Sequence, residues 1–161
     1  MTDGPRSPEL RSILISTRLG ELTLTSWPTL TPRDSVAAAA ERMRAEGHGS
    51  ALVCSEGRLV GIFTERDLLR VIANGRDLTM PLAEVMTSEP RTVTTETTLF
   101  EATNLMDEGG YRRLPVVDGD GRAVGIVDVK TVTHFLVEHF PAAVYNQASH
   151  AQLLARHREG A

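Results

Sequence analysis

Gly61-Ile62-Phe63-Thr64-Glu65-Arg66-Asp67 and Gly125-Ile126-Val127-Asp128-Val129-Lys130-Thr131 are one pattern written twice, 64 residues apart (125 − 61). In both, a glycine and apolar residues run into a polar residue that opens a helical segment. Towards the N-terminus, Leu19-Gly20-Glu21-Leu22 recurs as Leu82-Ala83-Glu84-Val85, a shift of 63 (82 − 19). Thr29-Leu30 recurs as Thr92-Val93, Met43 as Met106 and Gly47 as Gly110, with the same shift of 63. The extra residue enters where Ser55-Glu56-Gly57 becomes Asp118-Gly119-Asp120-Gly121, a turn, where insertions are best tolerated. Ordered matches with one insertion in a turn define a tandem repeat.

Each copy reads β-α-β-β-α. A short strand at Thr29–Thr31 (Thr92–Thr94 in the second copy) leads into a helix. Val36-Ala37-Ala38-Ala39-Ala40 with Met43 has strong helical propensity. In the second copy, Thr98 and Glu101 form a capping box ahead of Leu99, Ala102 and Met106. Gly47 and Gly109-Gly110 end these helices. Apolar strands follow at Ala51–Cys54 and Leu59–Phe63, joined by a tight turn, and at Leu114–Val117 and Ala123–Val127. Leu68, Leu69, Val71 and Ile72, then Val132, Phe135 and Leu136, mark the closing helices. A three-stranded unit of about 60 residues is marginal alone. Two units are therefore expected to pack sheet to sheet about a pseudo-twofold axis, leaving clefts where polar groups of both copies converge.

The chain has 161 residues, which suits one domain or two small units around a common core. Aromatic residues make up only 4%, so the core must be aliphatic. A net charge of −4 argues against a nucleic-acid-binding face while leaving room for a local basic pocket. Cys54 is the one cysteine, so no intramolecular disulfide can form and a reducing compartment is the simple reading. Ile13-Leu14-Ile15 is too short for a signal-peptide core, and no stretch approaches a membrane span. A cytoplasmic location is expected.

At this point the residues resemble a known family, the cystathionine-beta-synthase (CBS) domain pairs, over about residues 19–140. Gly61-Ile62-Phe63-Thr64-Glu65-Arg66-Asp67 is similar to the family's Gly-h-x-Ser/Thr-x-x-Asp nucleotide signature. Tyr111-Arg112-Arg113-Leu114-Pro115-Val116-Val117-Asp118 is similar to its basic-Leu-Pro-Val-Val-Asp strand. The resemblance implies an α/β fold with an N-terminal segment at 1–18, partly disordered, then repeats at 19–80 and 81–140. Residues 141–161 lie beyond the repeats as a tail, and there Gln152–Arg156 reads as a short terminal helix, with fraying or a dimer contact as comparable options. The resemblance further implies a homodimer that binds AMP, ADP or ATP between the repeats and signals to an effector protein.

Carried over residue by residue, Thr64 and Asp67 of one repeat and Arg112 and Arg113 of the other form one adenine-nucleotide site. Thr87 and Thr92 would lie beside the base, with Tyr111 and Pro115 completing the set. The chemistry is sound on its own terms. A carboxylate in the first turn of a helix can accept both hydroxyls of a ribose, and arginine offers multi-donor recognition of phosphate. Strand alternation puts Arg112 on the face of Leu114 and Val116 and Arg113 on the opposite one, so at most one is expected to contact the core phosphate.

Thr64-x-x-Asp67 is also a capping box, and capping alone is a sufficient reason for both residues. The second copy acts as an internal control. There Asp128 remains a good cap, but Thr131 replaces the carboxylate, and Gly49-Ser50 faces it where the first site has Arg112-Arg113. Both halves of that site are missing together, so one competent site and one degenerate site (His48, Asp128, Thr131) are expected.

The other candidates are weaker. Cys54 sits in an apolar strand and reads as a core thiol. His134 and His139 are five apart, a poor ligand spacing, and no metal site is expected. Gly-x-Ser-x-Gly is absent, and no nucleophile–base set suggests an enzyme. His48, which aligns with Tyr111, reads as a loop residue after Gly47 or a partner for adenine. S-adenosylmethionine or a dinucleotide is an alternative ligand, since each presents an adenosine. A ligand-free dimerisation adaptor is the rival function.

Overall fold

The structure, a computed structural model, describes residues 7–24 and 26–139. Its elements are α1 (Ser7–Ser16), β1 (Thr29–Leu30), α2 (Val36–Glu46), β2 (Ser50–Ser55), β3 (Arg58–Thr64) and α3 (Glu65–Ala73). There follow β4 (Thr87–Ser88), β5 (Val93–Thr94), α4 (Leu99–Gly109), β6 (Arg113–Val117), β7 (Ala123–Asp128) and α5 (Val129–His139). Short 3-10 turns occupy Leu19–Glu21 and Leu82–Glu84, the two ends of the first repeat match. The twofold β-α-β-β-α order expected from the sequence is present.

Local chemistry sets the element ends. The Ser35 hydroxyl accepts the Ala38 N–H and starts α2, and the Thr98/Glu101 box starts α4. Both helices stop at a glycine in the left-handed region, Gly47 (φ 71°) and Gly110 (φ 64°), where a side chain would be strained. Glu56 and Gly57, both at positive φ (51° and 81°), make the tight β2–β3 turn. In the second copy, Asp118 Oδ1 instead accepts the N–H groups of Asp120 and Arg122, which accommodates the longer loop.

β1 runs parallel to β2, while β3 is antiparallel to β2 and to β4. The second sheet has the order β5-β6-β7, with β5 parallel to β6. From Ala51 to Cys54 every residue of β2 is buried, because both faces of the first sheet are covered. Ala51, Val53 and Phe63 pack under the helices with Val36, Ala39, Met43 and Val71. Leu52, Cys54 and Leu59 face the other way and meet Ile126 and Ala123 of β7 and Trp27. The sheets thus share an apolar layer, as a sheet-to-sheet packing requires.

The first sheet has a fourth strand that was not expected. Thr87–Ser88 lies beyond the first repeat in sequence, yet Thr87 pairs with Ile62 and Ser88 with Gly61. Gly61 is needed for this approach: a Cβ there would lie 2.6 Å from Met86 Sδ and 3.1 Å from the Thr87 carbonyl oxygen.

The 3-10 turns are exchanged between the copies. Leu19 N–H donates to the Thr97 carbonyl and Gly20 N–H to that of Thr95. The equivalent bonds run from Leu82 to Asp34 and from Ala83 to Pro32. Each leading turn therefore binds the loop just before the other copy's first helix. Arg58 and Arg122, equivalent under the shift of 64, bridge to one another. A residue paired with its own counterpart is the mark of a twofold, here an internal one. A second compact unit begins at Asp128 and carries α5. The N-terminal segment, expected to be partly disordered, contains α1, which packs on α4. The expected tail and its helix at 141–161 lie outside the described residues.

Candidate functional site

Thr64 is the N-cap of α3 and Asp67 its third residue, and they bond reciprocally. Asp67 N–H donates to Thr64 Oγ1 at 3.3 Å. Thr64 N–H and Oγ1–H both donate to Asp67 Oδ2, at 2.9 and 3.0 Å. The cap is complete, yet it engages only one of the two carboxylate oxygens. Asp67 Oδ1 has the Arg70 guanidinium at 3.9 Å as its nearest cation. A carboxylate accepts about four hydrogen bonds, so capping leaves Oδ1 able to receive more. Asp67 is 6% exposed, and besides Ser50 it is the buried polar residue of the described chain.

Asp67 borders a cleft of about 520 Å³, within the range of small-molecule sites. One wall is the end of β3 and the start of α3, with Ile62, Thr64, Asp67 and Arg70. A second is the approach to β6, with Tyr111, Arg112, Arg113 and Pro115. Thr87 of β4, then Pro90 and Arg91 of the β4–β5 loop, form the third. That loop begins at Glu89, a non-glycine residue at φ 48°. Thr92, expected beside the base, is half-buried and is not among the cleft residues. From that loop it is Pro90 and Arg91 that line the cleft.

Both Arg112 and Arg113 line the cleft, whereas alternation placed them on opposite faces. β6 starts at Arg113, so Arg112 precedes the strand and alternation does not govern it. Arg113 is half-buried, with Cζ 5.7 Å from the centre of the Trp27 ring. His48 also packs against that ring, 4.3 Å away and tilted by 36°. Gly49 leaves room for this arrangement: a Cβ there would meet Glu65 Oε2 at 3.1 Å and Arg113 Nη2 at 3.2 Å. Arg66, Arg70 and Arg91 also line the cleft and were not anticipated. Arg66 and Arg70 lie one residue before and three after Asp67, a spacing that puts Arg70 on the same helix face. Arg91 carried no comparable signal. Five arginines against two carboxylates, Glu65 and Asp67, give the cleft a formal surplus of three positive charges. The whole chain carries −4.

The residues of the expected degenerate site behave differently. Thr131 N–H and Oγ1–H donate to Asp128 Oδ1 at 2.8 and 2.9 Å, so the carboxylate has moved to the cap position. Ser50, in the place equivalent to Arg113, is fully buried and its Oγ has no partner. His48 packs on Trp27 in a loop directly after Gly47. Cys54 is buried as expected, and burial pushes its thiol pKa up. Among the described residues no three His, Cys, Asp or Glu gather as metal ligands, and His134 pairs with Glu138 at 3.0 Å. No helix among them is long and apolar enough to cross a membrane.

Comparison with known proteins puts this geometry in context. The CBS domain model matches residues 19–74 and again 82–138. A 17.7 kDa protein of Acidianus ambivalens is 31% identical over 125 residues, covering 77% of this chain and 76% of that one. A CBS domain-containing protein of Arabidopsis thaliana is 36% identical over 125 residues, 74% of this chain but only 22% of its own length. Among solved structures, a Pyrobaculum aerophilum CBS domain protein complexed with AMP superimposes with a TM-score of 0.66 at 26% identity. The alignment covers 71% of this chain and 88% of that one. CBSX2 of Arabidopsis thaliana in complex with AMP gives 0.68 at 27% identity, covering 76% and 98%.

Proposed function

The chain belongs to the CBS domain family, and from this we infer that its cleft is a regulatory adenine-nucleotide site. Asp67 carries the inference: a buried carboxylate, fixed by its own helix cap through one oxygen, presents the other to a cleft rich in arginine. In this reading Oδ1 accepts the ribose hydroxyls and Arg112 and Arg113 take the phosphate. Thr87, Tyr111 and Pro115 bound the base. The AMP complexes of two structural neighbours support the choice of ligand class. S-adenosylmethionine, which presents the same adenosine, is the comparison ligand.

Binding is proposed to act by population shift. A ligand moves a conformational equilibrium only by binding its two states unequally. Two elements join the copies at this cleft: β4, which completes the first sheet, and the β4–β5 loop with Pro90 and Arg91. A nucleotide held between Asp67 and Arg112 favours the arrangement that brings these walls together. The protein is proposed to work as a cytoplasmic homodimer that passes this change to an effector protein and catalyses no reaction.

Thermal unfolding with AMP, ADP, ATP or S-adenosylmethionine tests the reading. Ligand at about a hundredfold over Kd stabilises the native state by about 2.7 kcal/mol, so a nucleotide should raise Tm by several degrees. The rise should vanish in Asp67→Ala and shrink in Arg112→Ala/Arg113→Ala. The complete Thr64–Asp67 cap supports one rival, a ligand-free adaptor. It predicts that Asp67→Ala lowers Tm while no ligand moves it in either protein.

A further inference from the structure

We propose that the cleft is built for a nucleoside polyphosphate rather than a monophosphate, with Arg66 and Arg91 selecting for the outer phosphates. The proposal rests on the nucleotide reading and adds the ligand's charge class. It starts from the charge balance of the cleft, five arginines against two carboxylates. Among the described residues none of Arg66, Arg91, Arg112 and Arg113 has a carboxylate within 4.0 Å, while Arg18, Arg42, Arg44 and Arg76 each do. Arg11, Arg33, Arg58 and Arg122 also lack such a partner, and what sets Arg66, Arg91, Arg112 and Arg113 apart is that they border a single cleft. Glu65 and Asp67 offset the charge of the five arginines only in part, and a bound polyanion supplies the rest.

Two features point to more than one phosphate. Arg112 and Arg113 already suffice for a single phosphate, since one arginine offers a planar fork to one oxyanion. Arg66 and Arg91 enter from other walls, the first turn of α3 and the β4–β5 loop, and are exposed, so they suit groups extending towards solvent. AMP brings about two negative charges and each further phosphate about one more at neutral pH. A surplus of three positive charges in the cleft is matched by a di- or triphosphate. The repeat equivalents of Arg66 and Arg91 are Lys130 in the second copy and Pro28 in the first, so the full arginine set occurs once.

The test is calorimetric titration of the full chain, without Mg²⁺, with AMP, ADP, ATP and inorganic tripolyphosphate. The Arg66→Ala/Arg91→Ala variant is measured alongside. Both side chains are exposed, and an unchanged Tm will show that the variant is folded. Affinity should rise from AMP to ATP by about tenfold or more, as added charge-assisted contacts imply. This preference should shrink as salt rises from about 50 to about 500 mM. The variant should lose the ATP preference while its AMP affinity stays within about threefold. AMP binding as tightly as ATP, or equal weakening of all three nucleotides in the variant, overturns the polyphosphate proposal and leaves the nucleotide reading standing. Saturable tripolyphosphate binding with no nucleotide binding would remove the adenosine reading but keep the arginine cradle. If neither binds, both fall.

Discussion

Asp67 caps α3 through Oδ2, and the proposed ligand role falls to its other oxygen, Oδ1. Substitutions should separate the two roles. Thr64→Ala removes the cap hydroxyl and should cost about 1 kcal/mol in urea unfolding, with ligand affinity falling less than in Asp67→Ala. Cys54 makes a second prediction. Burial raises its thiol pKa, so at pH 8 less of it is thiolate than in a free cysteine, and the thiolate is the reactive form. Alkylation by iodoacetamide should be at least about tenfold slower in the native protein than in urea, as followed by mass spectrometry. Trp27, the sole tryptophan, lies under Arg113. Its emission should change in Arg113→Ala, and a nucleotide that draws Arg113 away should change it too. Much at this scale was legible beforehand: Thr64, Asp67, Arg112, Arg113, Thr87, Tyr111 and Pro115 all border the cleft. Thr92 does not, because the chain turns at Glu89–Arg91 before β5, and single-sequence spacing says little about where a short loop points.

Helices and strands repeat their ends more faithfully than their middles. Ser35, Thr64 and Thr98 accept a cap N–H at three helix starts, and Asp128 does so at α5. Capping residues carry a sharp sequence signature, which is why these boundaries were readable. Replacing Gly47 by alanine forces a side chain into the left-handed region (φ 71°) and should cost about 1 kcal/mol by chemical denaturation. Two elements escaped the sequence. α1 carries Leu10, Ile13 and Leu14 at helical spacing, but it gains stability from packing on α4, including Arg11 over the Phe100 ring at 5.4 Å. β4 is two residues long, too short for any period, and exists because Gly61 lets it approach β3.

At the scale of the molecule the copies are interleaved, although they read as consecutive. Leu82 is fully buried among the first copy's core residues, and Leu19 is fully buried in the matching exchanged turn. Leu82→Ala should destabilise the protein by about 2–5 kcal/mol, as a core cavity does, in a single cooperative unfolding transition. A fragment ending at residue 80 lacks both Leu82 and β4, so it should not fold cooperatively, as judged by circular dichroism. The repeat was visible through its shift of 63, but the exchange was not, since periodicity reports equivalence and is silent on which copy a segment packs against. The cleft depends on this interleaving, because its walls come from Asp67 in one copy and Arg112 and Arg113 in the other. The decisive measurement is therefore the stoichiometry of nucleotide binding, by calorimetry on the intact chain and on Asp67→Asn, which keeps the side chain's shape. One nucleotide per chain, with binding abolished in Asp67→Asn, is the predicted result. Two equivalent nucleotides per chain, or undiminished binding in Asp67→Asn, would contradict a single site built on Asp67.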